Sequence, residues 1–310
     1  MLLAALLVLT PAQAPQDWET KEKTYLRNIR QLTHDFVRAG EGYFSPDGRT
    51  IIFQAEEKTT GNPFYQIFTM DLATGRIQRV SPGVGKTTCP YFHPAGKKII
   101  YASSHLDQDD KAKYKPEYDA RDEERKQGIR RRYRWDFDPA MDIFEAASDG
   151  TALKRLTDSP GYDAEGSYSP DGKQIVFCSA RTGKDNLELF IMNADGTGAR
   201  QLTKAPNCYN GGPFFSPDGK RVIFRSDRKA KDQLQLYVIN TDGTGEKALT
   251  DDTAWVQWGP YWHPDNRHII YAAADHATGG RPNYDLYWMD VETGAKERIT
   301  HAPGADVLPV

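Results

Sequence analysis

Cysteine is scarce: Cys89, Cys178 and Cys208 are the only three in 310 residues, and no Cys-x-x-Cys pair occurs. A zinc site built on paired cysteines is therefore excluded. In an exported protein Cys89 could pair with Cys208, but the three read better as small buried apolar residues. An excess of one charge is lacking too. The 40 Lys and Arg stand against 43 Asp and Glu, whereas a nucleic-acid-binding domain is normally clearly basic. No apolar run is long enough to span a bilayer. There is no Gly-x-Ser-x-Gly elbow to mark an α/β-hydrolase. No Gly-x-x-x-x-Gly-Lys loop is present to cradle phosphate.

What the chain has is turn formers and rings. Glycine occurs 26 times, proline 19 times, and aromatics make up 11%. That mix suits an all-β protein of many short strands. The first residues read as an export signal, with the apolar run Leu2–Leu9 followed by the small-x-small site Ala12-Gln13-Ala14. We expect a signal peptide over 1–14, a lead segment over 15–28, and a mature protein that is periplasmic or secreted, although no Lys or Arg follows Met1.

Internal repetition is the strongest feature. Ser-Pro-Asp-Gly stands at Ser45–Gly48, Ser169–Gly172 and Ser216–Gly219, with weaker copies at His93–Gly96 and His263–Asn266. The spacings are 48, 76, 47 and 47 residues, so one repeat holds an insertion of roughly 28. Proline presets φ in a tight turn, and Gly or Asn takes the left-handed position after Asp. Aromatics precede each turn (Phe44, Phe92, Tyr168, Phe215, Trp262), and apolar triplets such as Ile175-Val176-Phe177 follow. A third strand, a second glycine turn such as Asp195-Gly196, and a fourth strand such as Gln201–Thr203 complete each unit. Four short strands per period make one propeller blade, and the aromatics are expected in the core between blades.

The series aromatic-Ser-Pro-Asp-Gly-Lys, Ile-Val-Phe strand, Asp-Gly-Thr turn and Leu-Thr strand resembles the WD-like repeat of TolB-type β-propellers. The resemblance runs from Ile29 to the C-terminus. It implies an all-β propeller of six-bladed design over 29–310, with five complete four-stranded blades present. TolB proteins carry an α/β domain ahead of the propeller. Here the first blade is expected near Glu41, which leaves no room for that domain and weakens a Tol–Pal assignment. Ile29–Thr33 matches a fourth strand, and Ala305–Val310 matches the lead-in to a sixth turn. The two are expected to belong to one shared blade that the sequence cuts short. The rival is a ring of five.

Strand direction sorts the loops. The tetrapeptide and Asp-Gly turns fall on one face; the longer second-to-third and fourth-to-first connections fall on the other, where function usually sits. The candidate binding residues there are Tyr162, Asp163, Glu165, Arg181, Tyr209, Asn210, Arg228, Trp255, Trp258, His276 and Arg281, with Lys86 adding charge. Aromatics mixed with Arg, Asn and carboxylates suit an envelope or secreted protein, or a glycan. The insertion, at about 105–141, joins the same face. Lys111–Lys126 reads as an exposed helix, and Ile129–Trp135 is a basic aromatic cluster ringed by aspartates. Asp107, Asp109 and Asp110 lack the glycine and glutamate spacing of a calcium loop.

The function expected is a binding scaffold linked to envelope biopolymer transport, monomeric and without cofactor, metal or nucleic acid. The alternative comes from related propellers that serve as oligogalacturonate-type polysaccharide lyases. On that reading His105, His276, Glu165 and Arg181 would be catalytic, and the two histidines should converge.

Overall fold

The computed structural model describes residues 18–107, 109–129, 137–183 and 186–310. The expected signal peptide and residues 130–135 of the basic cluster lie outside them. The described strands form five antiparallel four-stranded sheets, each paired in chain order. From the innermost strand outward, blade one is Phe36–Phe44, Thr50–Glu57, Gln66–Asp71 and Ile77–Arg79. Blade two is Thr87–Phe92, Lys98–Ser103, Asp142–Ala147 and Lys154–Arg155. Blade three is Asp163–Tyr168, Gln174–Ser179, Glu188–Asn193 and Arg200–Gln201. Blade four is Asn210–Phe215, Arg221–Ser226, Gln235–Asn240 and Lys247–Ala248. Blade five is Trp255–Trp262, His268–Asp275, Asp285–Asp290 and Lys296–Arg298.

The tetrapeptide turns close as their residues dictate. In blade three the Gly172 N–H donates to the Ser169 carbonyl at 2.8 Å, and the Ser169 hydroxyl donates to Asp171 at 2.7 Å. Gly172 sits at φ 69°, the left-handed region that glycine adopts freely. The Leu-Thr of each outer strand has a separate task. The hydroxyls of Thr157, Thr203, Thr250 and Thr300 accept the N–H of Ile143, Leu189, Leu236 and Leu286, and Ser81 does the same for Ile67. A short fourth strand is thereby pinned beyond its two or three ladder residues.

The second glycine turn nests on the preceding blade. Gly196 lies at φ 94°, and a Cβ there would stand 2.6 Å from the Leu156 carbonyl oxygen. Gly196→Ala is expected to cost about 2 kcal/mol, combining left-handed strain with a backbone clash. Gly75→Ala shares the strain but meets nothing within 4 Å, and should cost about 1 kcal/mol. Urea unfolding of both variants checks the difference.

The turn-preceding aromatics pack backwards onto the previous blade. Phe92 lies with Ile52 and Ile67 of blade one, Tyr168 with Ile100 and Ile143 of blade two, and Trp262 with Ile223 and Leu236 of blade four. Phe44 departs from the expected pattern: it is 53% exposed, because no blade stands before blade one among the described residues. Ile29–Thr33 also departs from expectation. It forms no strand, and Ile29 is 72% exposed, since no third strand lies beside it to pair with.

Blade five is instead flanked by the helix Trp18–Glu22 and the C-terminal segment. Glu22 accepts the N–H groups of His301 and Ala302 at 2.6 and 2.8 Å. The Asp306 N–H then donates to the Tyr284 carbonyl at 2.8 Å. The same bond starts the innermost strands elsewhere, from Thr87 to Tyr65, Asp163 to Met141, Asn210 to Leu187 and Gln257 to Leu234. Residues from Asp306 onward thus take the register of an innermost strand.

The insertion carries the helix Asp110–Lys126, as its charge pattern predicts. It is tied to blade one through Glu56, which takes Arg38 at 2.9 Å and Arg121 at 3.3 Å. Asp107 bonds Lys113, so this aspartate serves as a helix partner. The three cysteines are unpaired; Cys178 and Cys208 are buried.

Candidate functional site

The innermost strands share an irregularity. Each breaks register with its neighbour along its length, at Gly40/Tyr43, Thr88/Tyr91, Gly211/Phe214 and Trp258/Tyr261, and opposite Val176/Cys178 in blade three. The residue at each bulge has positive φ: Glu41 47°, Cys89 52°, Glu165 57°, Gly212 57° and Gly259 58°, with Leu308 at 53° in the C-terminal segment. A bulge re-aims its side chain, and here six equivalent positions surround one axis. Proline or glycine follows in each case, as in Glu41-Gly42, Cys89-Pro90 and Glu165-Gly166.

Two residues further along, Tyr43, Tyr91, Phe214 and Tyr261 close the axis. Their ring centroids lie 5.1–6.1 Å apart, and the Tyr91 and Tyr261 hydroxyls are 3.1 Å apart. Above this plug lies a cavity of about 210 Å³, walled by Glu41, Cys89, Glu165, Arg225, Trp258 and Leu308 among others. It lies on the side of the long connections.

The wall is electrostatically ordered. Glu165 accepts four donors: Tyr162 and Tyr209 hydroxyls at 3.3 and 2.7 Å, the Gly212 N–H at 2.5 Å and Arg225 at 3.1 Å. Arg225 also donates to Tyr209 at 2.9 Å and lies 5.9 Å from the Trp258 ring centroid. Glu41 has a different setting. Its neighbours are the Cys89 thiol and the Tyr43 hydroxyl, and burial pushes its carboxyl up to about 7. Burial likewise raises the Cys89 thiol, so it is not an activated nucleophile.

The candidates expected on exposed loops divide. Tyr162, Asp163, Glu165 and Asn210 are instead buried, at or beside the innermost strands. They fall there because the fourth-to-first connections end at the axis, where the innermost strands begin at Asp163 and Asn210. Arg181 bonds Asp163 at 2.9 Å and Ser179 at 2.8 Å; Arg228 bonds Asn210 at 2.5 Å and Ser226 at 3.1 Å. Both tie a second strand to its own first strand rather than adding charge to a rim. Burial raises the Asp163 carboxyl against the pull of Ser179 and Arg181. Lys86 is paired with Asp138 at 3.5 Å. Tyr209 and Trp258 reach the axial wall, Trp255 packs on Tyr287, and Arg281 is exposed.

His105 bonds the Ser103 hydroxyl at 2.9 Å and packs on Phe144 of its own blade. His276 bonds the Tyr284 hydroxyl at 2.9 Å in blade five. Burial lowers both pKa values, with the Arg155 charge adding to the effect at His105. Neither lines the axial cavity. Glu41, Cys89 and Arg225 are wall residues that the sequence reading left out. Alternation from the turn-preceding aromatics would have pointed to the plug, since the adjacent position faces the opposite way.

No family model matches the chain. A TolB homolog of Chlorobium luteolum is 28% identical over 171 residues, spanning 55% of this chain and 30% of that protein. A putative TolB from Agrobacterium tumefaciens superposes with a TM-score of 0.63 at 20% identity, covering 84% of this chain and 80% of that one. The chain has the β-propeller fold of TolB proteins. An oligogalacturonate lyase from Vibrio parahaemolyticus shares the fold, with a TM-score of 0.58 at 15% identity over 90% of this chain and 70% of that one. This TolB-type propeller therefore spans less than a third of the curated relative it matches, and the likenesses among solved structures concern the fold alone. No helix among its described residues is long and apolar enough to cross a membrane.

Proposed function

We propose that this propeller is a binding scaffold in the periplasm or outside the cell, serving an envelope or secreted partner. The partner delivers a side-chain-sized group into the axial funnel. The observation that carries this reading is the funnel itself, closed by four rings at one end and walled by aromatic and charged groups. Its volume of about 210 Å³ lies below the roughly 300–1,000 Å³ of most small-molecule pockets, which favours one inserted group over an oligosaccharide. The lyase reading has less support, since His105 and His276 keep to partners within their own blades. The TolB resemblance supports a link to envelope biopolymer transport.

A ring with six positions also fits. Asp306 repeats the opening hydrogen bond of an innermost strand, Leu308 repeats its left-handed bulge, and Phe44 exposes the face that a preceding blade would cover.

Partner capture from an envelope extract tests the funnel. Trp258→Ala should reduce recovery at least about tenfold, as hot-spot aromatics do, while Arg281→Ala on the outer loop should leave it unchanged. The opposite pattern would move the site to the loops.

A further inference from the structure

At the six bulge positions of the funnel, two carry Gly212 and Gly259, the residues that tolerate a left-handed backbone without cost. Four carry Glu41, Cys89, Glu165 and Leu308 at φ 47–57°, a conformation that costs of order 1 kcal/mol or more for each. Glu165 has a structural use, because its carboxylate gathers four donors. Glu41 has none of comparable strength. Its hydrogen-bond neighbours are the Cys89 thiol and the Tyr43 hydroxyl, the latter at 3.4 Å.

Charge bookkeeping isolates Glu41 further. Arg225 hydrogen-bonds Glu165 and Tyr209, and its charge acts on Glu41 only through space. Lys86 is committed to Asp138, with its ammonium 5.1 Å from the Phe64 ring centroid. Lys113 shares Asp138 and also pairs with Asp107, so that group balances internally. Among the described wall residues, Glu41 is the carboxylate without an ion-pair partner. Around it the wall supplies the rings of Tyr43, Tyr91 and Phe214, while the Tyr65 and Trp258 rings already face Arg38 and Arg225.

A lone carboxylate inside an aromatic enclosure has one complementary ligand chemistry. An organic ammonium offers a positive head for the carboxylate and ring faces, and an alkyl stem for the apolar wall. A carboxylate or phosphate would be repelled, and a neutral sugar would leave the charge unpaired. We propose that the funnel binds a primary alkylammonium group, with Glu41 as its counter-ion and the axial rings as its cage. This rests on the reading of the funnel as the binding site and names the group that enters it.

The test is a titration of the full chain with n-butylammonium chloride, followed by calorimetry and by the unfolding midpoint. Butanol, sodium butyrate and sodium chloride at matched ionic strength are the comparisons. Butylammonium should bind and raise the midpoint, while the three others should not. In Glu41→Gln its affinity should fall about tenfold, the loss of one charge-assisted contact. Binding should also be tighter at pH 8 than at pH 5.5, since the carboxyl must be ionised. The other titratable groups that line the funnel with Glu41 are Tyr43 and Tyr65 of blade one, Lys86, Cys89 and Tyr91 of blade two, Tyr162 and Glu165 of blade three and Arg225 of blade four. Equal affinity in Glu41→Gln, or equal stabilisation by butanol or sodium chloride, would overturn the assignment. Should partner capture ignore Trp258→Ala while butylammonium still requires Glu41, the scaffold reading falls and the ammonium site stands. Should capture need Trp258 while butylammonium fails to bind, the reverse holds.

Discussion

Arg225→Met is expected to destabilise the propeller by about 3–5 kcal/mol, the range for breaking one partner out of a buried ion pair. Arg225 and Glu165 are both largely buried, at 14% and 5% side-chain exposure, with 3.1 Å between them. Removing the guanidinium leaves the Glu165 carboxylate inside the ring with the Tyr162 and Tyr209 hydroxyls and the Gly212 N–H, and without its cation. The damage should extend across blades. Glu165 belongs to blade three, while Arg225, Gly212 and Tyr209 belong to blade four or its lead-in, so the cluster fastens two blades at the axis. Glu165→Gln/Arg225→Met removes both charges and should recover most of the loss, since a neutral pair owes no desolvation penalty. Urea unfolding followed by tryptophan fluorescence checks the set. Additive losses in the double variant would mean that the ion pair is not the unit that matters.

How much of this was legible in the sequence follows from the range of each interaction. The blades were, because Ser-Pro-Asp-Gly and Asp-Gly-Thr act through their own backbone, within four residues. The split between turn face and loop face was also legible, since antiparallel pairing leaves no choice. The funnel was not. Glu41, Cys89 and Gly212 share no residue type, and their equivalence appears only when five strands are aligned at the bulge and wrapped about an axis. Asp163 and Asn210 looked like loop residues because polar side chains usually stay wet. They are buried because Arg181 and Arg228, eighteen residues later in each case, return along the second strand to meet them. The exposure of Phe44 has the same origin, for a residue's burial here depends on the neighbouring blade.

Glu41→Gln should make the propeller more stable above pH 7 and leave it unchanged near pH 4.5. Burial is the largest cause of the raised Glu41 pKa, about 7 against an ordinary 4.5; the Cys89 and Tyr43 hydrogen bonds and the Arg225 charge pull it partly back. A carboxyl whose folded pKa lies above its unfolded value contributes stability that is complete below the unfolded value and is lost as pH rises through the folded one. Below pH 4.5 the group is protonated in both states, and the variant has nothing to relieve. Above pH 7 it is ionised in both, and the folded state bears a penalty of roughly 3 kcal/mol. Glutamine keeps the shape and the left-handed backbone strain but carries no charge, so it should recover about 2–3 kcal/mol at pH 8. The Asp142 carboxyl, raised to about 6 by burial, titrates in the same window, but it is common to both proteins and cancels in their difference. A stability gap that stays constant from pH 4.5 to pH 8 would show that the side chain acts through packing instead. A gap that opens with pH locates an uncompensated negative charge on the propeller axis, where a bound cation would find it.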